Sequence, residues 1–210
     1  MPPRAKPRIS LRKAPQQTRS TQLVADILEA AIHVLTRDSA RRFTTARVAE
    51  RAGVSVGSLY QYFPNKEAIL FRLQVDEWAR TSAVLRGILA DRTHPPEQRL
   101  RTLINTFLRT EREEADLRAA LDDAAPLYRD APEARAIEAA GHRLFTAFFG
   151  ELMPGASRRE RAVMADLVTT IMGAVGDTVT ADHSDADVTR KATILGDMLS
   201  GYFARRPARR

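Results

Sequence analysis

From Thr18 onward, apolar residues recur at helical spacing. Leu23, Ile27, Ala30 and Val34 stand at i, i+4, i+7 and i+11, and Val24, Leu28, Ala31 and Leu35 widen the stripe to a core-facing breadth. Further stripes follow. Trp78, Ala79, Ser82, Leu85, Ile88 and Leu89 run toward a turn at His94-Pro95-Pro96, and Leu100, Leu103, Ile104, Phe107 and Leu108 make the next helix. Ile137, Ala140, Leu144, Phe145, Phe148 and Phe149 form an aromatic-rich helix that ends near Pro154-Gly155. A helix over 157–181 carries Val163, Leu167, Thr170, Ile171, Ala174 and Thr178, and a last one carries Val188, Ala192, Leu195, Leu199 and Phe203. No alternating run bounded by hairpin residues predicts a strand, so the chain reads as all-α without internal repeats.

The segment Phe43–Leu70, FTTARVAERAGVSVGSLYQYFPNKEAIL, has a finer pattern. Thr44 or Thr45 is placed to cap a short helix that buries Val48, Ala49 and Ala52. Gly53 supplies the left-handed residue that ends it, and Ser55 caps the next helix. In that second helix Val56, Leu59 and Phe63 are predicted to face the core, and Pro64 stops it after about two turns. Asn65 then caps a long helix from Lys66. Two short helices joined by a tight Gly-containing turn make a helix-turn-helix. Its second helix leaves Ser55, Gly57, Ser58, Gln61 and Tyr62 outside, with Tyr60 on the border. These side chains suit base edges and phosphates, and Gly57 permits a close backbone approach.

Charge sharpens this picture. The 210 residues hold 33 Lys+Arg and 26 Asp+Glu, a net +7. Six of the bases (Arg4, Lys6, Arg8, Arg12, Lys13, Arg19) lie in residues 1–22 and four (Arg205, Arg206, Arg209, Arg210) in 205–210, with no acid in either stretch. The folded middle therefore carries about −3, and the high pI belongs to the tails. Within it, residues 37–72 hold seven bases against Asp38, Glu50 and Glu67, a local +4 at the helix-turn-helix. The four prolines of residues 1–17 and their charges predict a disordered basic arm, either a solvated tail or an arm that touches phosphate or a minor groove.

Residues 18–72 resemble the DNA-binding domain of the TetR family of transcriptional regulators. The resemblance rests on Thr45, Val48-Ala49, the Ala52-Gly53-Val54-Ser55 turn, Gly57, Leu59-Tyr60, Tyr62-Phe63 and Lys66-Glu67. It implies phosphate contacts from Thr45 and Lys66 at helix N-termini, and recognition-helix contacts from Ser55, Gly57, Ser58, Tyr60, Gln61 and Tyr62. One departure stands out. The family usually has a Gly shortly after its first helix, whereas here Arg37-Asp38-Ser39-Ala40-Arg41-Arg42 occupies the place, and the helix is expected to end at Asp38 or Ser39. The resemblance further implies an effector-binding and dimerisation body over 73–204, followed by a basic tail at 205–210. Its last two helices would pair with their twofold mates in a homodimer; ordinary intramolecular core accounts for the same stripes. A small-molecule effector would lie among Trp78, Phe107, Tyr128, Phe145, Phe148 and Met172. The small residues Gly173, Ala174 and Gly176 imply a close approach, because Gly inside a helix costs about 1 kcal/mol relative to Ala.

Several function classes drop away. With no cysteine, thiol nucleophiles, disulfide frameworks and Fe–S ligation are excluded. His33, His94, His142 and His183 are scattered without metal-ligand spacing, and the acidic run Glu111, Glu113, Glu114, Asp116 and Asp122-Asp123 reads as a solvated face, or as a hint of a cationic effector. There is no HExxH, GxSxG or Gly-rich phosphate loop, so no catalysis and no cofactor is expected. No apolar run reaches the roughly 18–20 residues that span a bilayer, and a soluble cytoplasmic protein is the default. The expected function is a ligand-responsive repressor that binds a near-palindromic double-stranded DNA operator as a dimer. The alternative is a constitutive or architectural DNA-binding dimer without a ligand.

Overall fold

The computed structural model describes residues 9, 12, 18–122 and 131–205, and for residues 38–41 the backbone alone. Within them lie nine helices and no strand: α1 Thr18–Arg42, α2 Thr45–Arg51, α3 Val56–Tyr62, α4 Lys66–Ala90, α5 Pro96–Glu113, α6 Ala115–Asp122, α7 Pro132–Leu152, α8 Arg158–Gly176 and α9 Asp185–Ala204. The chain divides by its contacts into two compact units. One holds residues 1–77 and 116–134, the other residues 78–115 and 135–210. The first unit thus adds 116–134, with α6, to the N-terminal helices, and α4 contributes residues to both. Helix α6 is not among the elements named from the sequence, although Leu117, Ala120 and Leu121 stand at helical spacing.

In the first unit the α1 stripe buries Val24, Ile27, Ala30, Ala31, Val34 and Leu35, and α1 packs on α2. Val48 and Ala49 of α2, Leu59 of α3 and Phe63 are fully buried beside them, and Ala68, Ile69, Leu70, Phe71 and Leu73 of α4 complete the core. Burying each large side chain contributes roughly 1.5–3 kcal/mol. Helix α1 does not end at Asp38 or Ser39 as expected; it runs on to Arg42. No residue there needs the left-handed region, since the break comes with extended Thr44 (φ −134°, ψ 149°), whose side chain caps α2. Helix α6 is tied to α4 by a buried carboxylate: Arg118 Nη2 lies 2.6 Å from Glu77 Oε1, and Gln74 Nε2 donates to Glu77 Oε2 at 3.0 Å.

The second unit is built on α5, against which α8 and α9 both pack. Pro96 sits at the start of α5, where its missing N–H costs no hydrogen bond. From there Leu100, Leu103, Ile104 and Leu108 enter a core shared with Phe145, Phe148 and Phe149 of α7, Met164, Ala165, Val168 and Met172 of α8, and Val188, Ala192, Leu195, Leu199 and Phe203 of α9. The rings of Phe149 and Phe203 stack with centroids 5.7 Å apart. The α9 stripe is therefore intramolecular core, not a free dimer surface. Polar ties fix the helices. Arg112 Nη2 meets Asp185 Oδ1 at 2.7 Å, at the start of α9, and Arg99, although 3% exposed, donates to the Leu89 carbonyl at the end of α4 and to Glu151 of α7. Helix α8 opens on a reciprocal Ser157–Glu160 capping box. Ser184 caps α9 and donates to Asp187 at 2.6 Å, which holds that carboxyl below its ordinary pKa.

The expected close approach in α8 is real at one of its three residues. A Cβ on Gly176 would lie 3.1 Å from both Phe107 Cε1 and Glu111 Cγ, whereas Gly173 has nothing within 4 Å and Ala174 is exposed. The acidic run does not form one solvated patch. Glu111 is buried beside Gly176, Glu113 lies 3.9 Å from Arg109, and Glu114 lies 3.5 Å from Arg80.

Candidate DNA-binding surface

Local chemistry builds the α2–turn–α3 unit residue by residue. Thr44 Oγ1 accepts from the Arg47 N–H at 3.3 Å and so resolves the Thr44/Thr45 choice of cap. At the other end the Gly53 N–H donates to the Glu50 carbonyl and the Val54 N–H to that of Ala49. Gly53 itself stands at φ +68°, where a side chain would be strained. Ser55 Oγ accepts from the Ser58 N–H at 3.0 Å and starts α3. Phe63, with φ −111° and ψ 113°, leaves the helix ahead of Pro64, as the restriction on pre-proline residues requires. Asn65 Oδ1 accepts from the Ala68 N–H at 2.8 Å and starts α4.

This framework sets out most of the anticipated residues on one surface. Tyr60, Gln61, Gly57 and Ser55 are exposed on α3, Ser58 is half-buried, and Lys66 is exposed as the first residue of α4. Tyr60 is tied in place, because its hydroxyl lies 3.1 Å from Thr45 Oγ1 at the start of α2. That bond joins the two helices and holds two predicted DNA-contacting residues together. A Cβ on Gly57 would meet only Ser55 Oγ at 3.7 Å, so the protein interior does not demand glycine there. Ser55 and Ser58 bond each other at 2.8 Å, which commits both hydroxyls partly to the cap.

Two anticipated positions turn out differently. Tyr62, expected to face outward, is 7% exposed and packs with the core; Val56, expected inside, is 41% exposed. The reason is phase. With only two turns, α3 buries Leu59 and Tyr62 (i, i+3), Phe63 follows as the third core residue, and Val56 lies in the first turn beyond the core edge. A hollow of about 530 Å³ along α1 and α2, lined by His33, Val34, Arg37, Arg47, Glu50 and Arg51, is not foreseen from the hydrophobic pattern. Its signal in the sequence is the i,i+4 pairs His33/Arg37 and Arg47/Arg51.

Five of the six residues anticipated around an effector belong to the second unit. Phe145, Phe148 and Met172 are closed into its core, Phe107 is half-buried against Gly176, and Trp78 is half-buried on α4; Tyr128 lies outside the described residues. Among the described residues no group of three or more His, Asp or Glu side chains is placed to hold a metal ion, and no helix is long and apolar enough to cross a membrane.

A capped two-helix unit with a left-handed glycine turn, an exposed hydroxyl- and amide-rich second helix and a local positive charge defines a helix-turn-helix DNA-binding regulator. Residues 27–73 match the bacterial regulatory proteins of the tetR family, and residues 95–206 match the tetracyclin repressor-like C-terminal domain. The chain belongs to the TetR family of DNA-binding transcriptional regulators. It is 24% identical over 182 residues to the HTH-type transcriptional repressor KstR of Rhodococcus jostii, covering 86% of this chain and 84% of the relative. Its fold is similar to that of the ketosteroid transcriptional regulator KstR2 of Mycobacterium tuberculosis, with TM-score 0.60, 17% identity and coverage of 94% and 97% of the two chains. It is similar as well to that of the regulator FadR of Bacillus subtilis solved with stearoyl-CoA, with TM-score 0.62, 16% identity and coverage of 83% and 96%.

Proposed function

We propose that the protein acts as a homodimer that grips a near-palindromic operator through two copies of α3 and leaves it when a small apolar or amphipathic effector binds residues 78–205. The observation that carries the dimer is the outer face of α8 and α9. Val163 and Leu167 on α8 are 60% and 51% exposed, and Ile194, Met198 and Tyr202 on α9 are 54%, 67% and 46% exposed. Ala174 and Gly201 continue these rows without bulk. Apolar rows of this kind on two helices of one unit are costly in water and suit burial against a twofold copy. Two short recognition helices also specify more sequence than one can.

For the effector, the support is the apolar interior bounded by Phe107, Phe145, Phe148 and Met172, together with the relatives' names, which concern a ketosteroid regulator and a complex with stearoyl-CoA. Ligands of that chemistry join a large apolar body to a polar end. Trp78, Phe107, Phe145, Phe148 and Met172 are the proposed lining, and the closed core then describes the ligand-free packing that such a molecule reopens.

Sedimentation tests the dimer. Wild-type protein at micromolar concentration is expected to run as a dimer, and Met198→Arg as a folded monomer with much weaker operator binding. A monomeric wild type with full operator affinity would overturn the reading.

A further inference from the structure

Arg99 carries an unmet donor at the edge of the apolar core of the second unit. The residue stands in the first turn of α5 and is 3% exposed. Two of its nitrogens are engaged: Nη1 donates to the Leu89 carbonyl and Nη2 to Glu151. The third, Nε, is fully buried and, among the described residues, has no acceptor. Its neighbour Cζ stands 5.3 Å from the centroid of the Phe148 ring, so Nε lies beside that ring too. A ring face is at most a weak acceptor. A tie between α4, α5 and α7 accounts for Nη1 and Nη2, but it leaves Nε as a standing cost to the fold.

The charge of Arg99 is already matched. The hydrogen bond from Arg99 holds the Glu151 carboxyl below its ordinary pKa, and Arg92, the other cation near it, has a side chain 82% exposed to water. An anionic ligand group at Nε would bring a second carboxylate to one buried guanidinium. A neutral oxygen would accept from Nε and add no charge. The far end of the proposed effector lining has the opposite character. Phe107 lies eight residues, about 12 Å, further along α5. Beside it Glu111 packs against the same glycine, since a Cβ on Gly176 would stand 3.1 Å from both Phe107 Cε1 and Glu111 Cγ. A carboxylate accepts hydrogen bonds and offers a ligand oxygen none.

We propose that Arg99 Nε is the polar anchor of the effector site, and that the effector carries an uncharged carbonyl oxygen at the end of its apolar body that reaches Phe148. Ketones, esters and thioesters belong to this class; free carboxylates do not. The proposal rests on the reading of the interior around Phe107, Phe145, Phe148 and Met172 as the effector site. It adds to that reading the functional group recognised and the direction in which the molecule lies.

The test uses three probes on the full-length protein, with affinity measured by calorimetry. Two are isomeric twelve-carbon ketones, one with the carbonyl next to the chain end and one with it at mid-chain; the third is the twelve-carbon carboxylate. The isomers share their apolar area and their carbonyl, so a difference between them reports where the hydrogen bond is offered. Wild type is expected to bind the end-carbonyl isomer about tenfold more tightly than either other probe. Arg99→Lys keeps a cation for Glu151 and lacks the Nε–H of the guanidinium. It should bring the two isomers to within about twofold of each other, with the mid-chain isomer bound as by wild type. A purely structural role for Arg99 would instead weaken both isomers alike. Equal wild-type affinity for the two isomers, or tighter binding of the carboxylate, would overturn the proposal, whether or not Arg99→Lys folds. Failure of the underlying reading looks different: none of the three probes would then bind, and the anchor would fall with the site.

Discussion

Tyr60 and Tyr62 are two residues apart in a two-turn helix, and packing gives them different work. The Tyr60 hydroxyl lies 3.1 Å from Thr45 and the residue is 38% exposed, whereas Tyr62 is 7% exposed. The expected outcomes separate accordingly. Tyr62→Ala should lower unfolding free energy by about 3–5 kcal/mol, the cost of emptying a buried aromatic site, seen as a shift of the urea midpoint. Tyr60→Ala and Lys66→Ala should leave that midpoint near wild type and weaken operator binding. Lys66→Ala should also reduce the salt slope by about 0.9 for each phosphate that the ammonium no longer neutralises. Gly57→Ala belongs with the second group, because a Cβ there meets only Ser55 Oγ at 3.7 Å inside the protein. A drop in affinity in that variant at unchanged stability would locate the DNA backbone at Gly57. Should Tyr62→Ala instead bind weakly while staying fully stable, the burial of its ring would be the wrong explanation of its role.

At the scale of helices, a buried cation organises the second unit. Arg99 accounts for three neighbours at once: the Leu89 carbonyl that ends α4, the Glu151 carboxylate of α7, and the Phe148 ring 5.3 Å from its guanidinium carbon. The hydrogen bond from Arg99 lowers the Glu151 pKa below its ordinary 4.5, against the opposing effect of desolvation, and the charges of Arg99 and Arg92 add to the lowering. A carboxyl whose folded pKa is depressed stabilises the fold fully above its unfolded pKa, and that contribution disappears as pH falls through the folded value. The melting temperatures of wild type and Glu151→Gln should therefore differ at neutral pH and converge as pH falls below the ordinary carboxyl value of 4.5 and through the lower folded one; a constant gap would show that Glu151 acts by shape alone. A second element-scale outcome concerns α8. Gly176→Val should cost roughly 1–3 kcal/mol through overpacking on Phe107 and Glu111, while Gly173→Ala, with open space around it, should gain up to about 1 kcal/mol of helix propensity, both read by thermal melts. These contrasts also show what the sequence could and could not convey. Caps, the Gly53 turn and the Pro64 stop are local, so Ser55 and Asn65 can be named from spacing and the cap of α2 narrowed to Thr44 or Thr45. Whether the α9 stripe meets α5 or another subunit, and which way Tyr62 turns, depends on residues distant in the chain. The α6 segment offers only one short helical step, Leu117 to Ala120 and Leu121, too brief to set an eight-residue helix apart from a loop, and the salt bridge of Arg118 to Glu77 joins residues far apart in the chain.

For the molecule as a whole, repression that responds to a ligand needs two forms of different operator affinity, and a ligand that prefers one of them. The ten bases of residues 1–22 and 205–210 and the +4 of residues 37–72 outweigh a net −7 elsewhere in the folded middle, so the positive charge is concentrated in the helix-turn-helix segment and the terminal stretches. An effector bound among Phe107, Phe145, Phe148 and Met172 touches none of those charges, so it must work by shifting the balance between forms of the protein. Its leverage is limited to its differential affinity for them. Turning a 99:1 population of the DNA-competent form into 1:99 takes about 5.5 kcal/mol of preference, which a molecule with the apolar area of a long acyl chain or a steroid nucleus can supply on burial at roughly 25 cal/mol per Å². Reopening a packed core opposes binding, so the observed affinity reports the difference. The expected result with stearoyl-CoA or a ketosteroid as probe is a raised melting temperature of the full-length protein and a weaker operator complex, in the same concentration range. Phe107→Leu, which shortens a half-buried wall of the proposed site, should weaken both responses together while leaving ligand-free operator binding intact. If a probe raises the melting temperature and operator affinity stays unchanged, the bound ligand has no preference between the two forms, and the constitutive DNA-binding dimer becomes the better description.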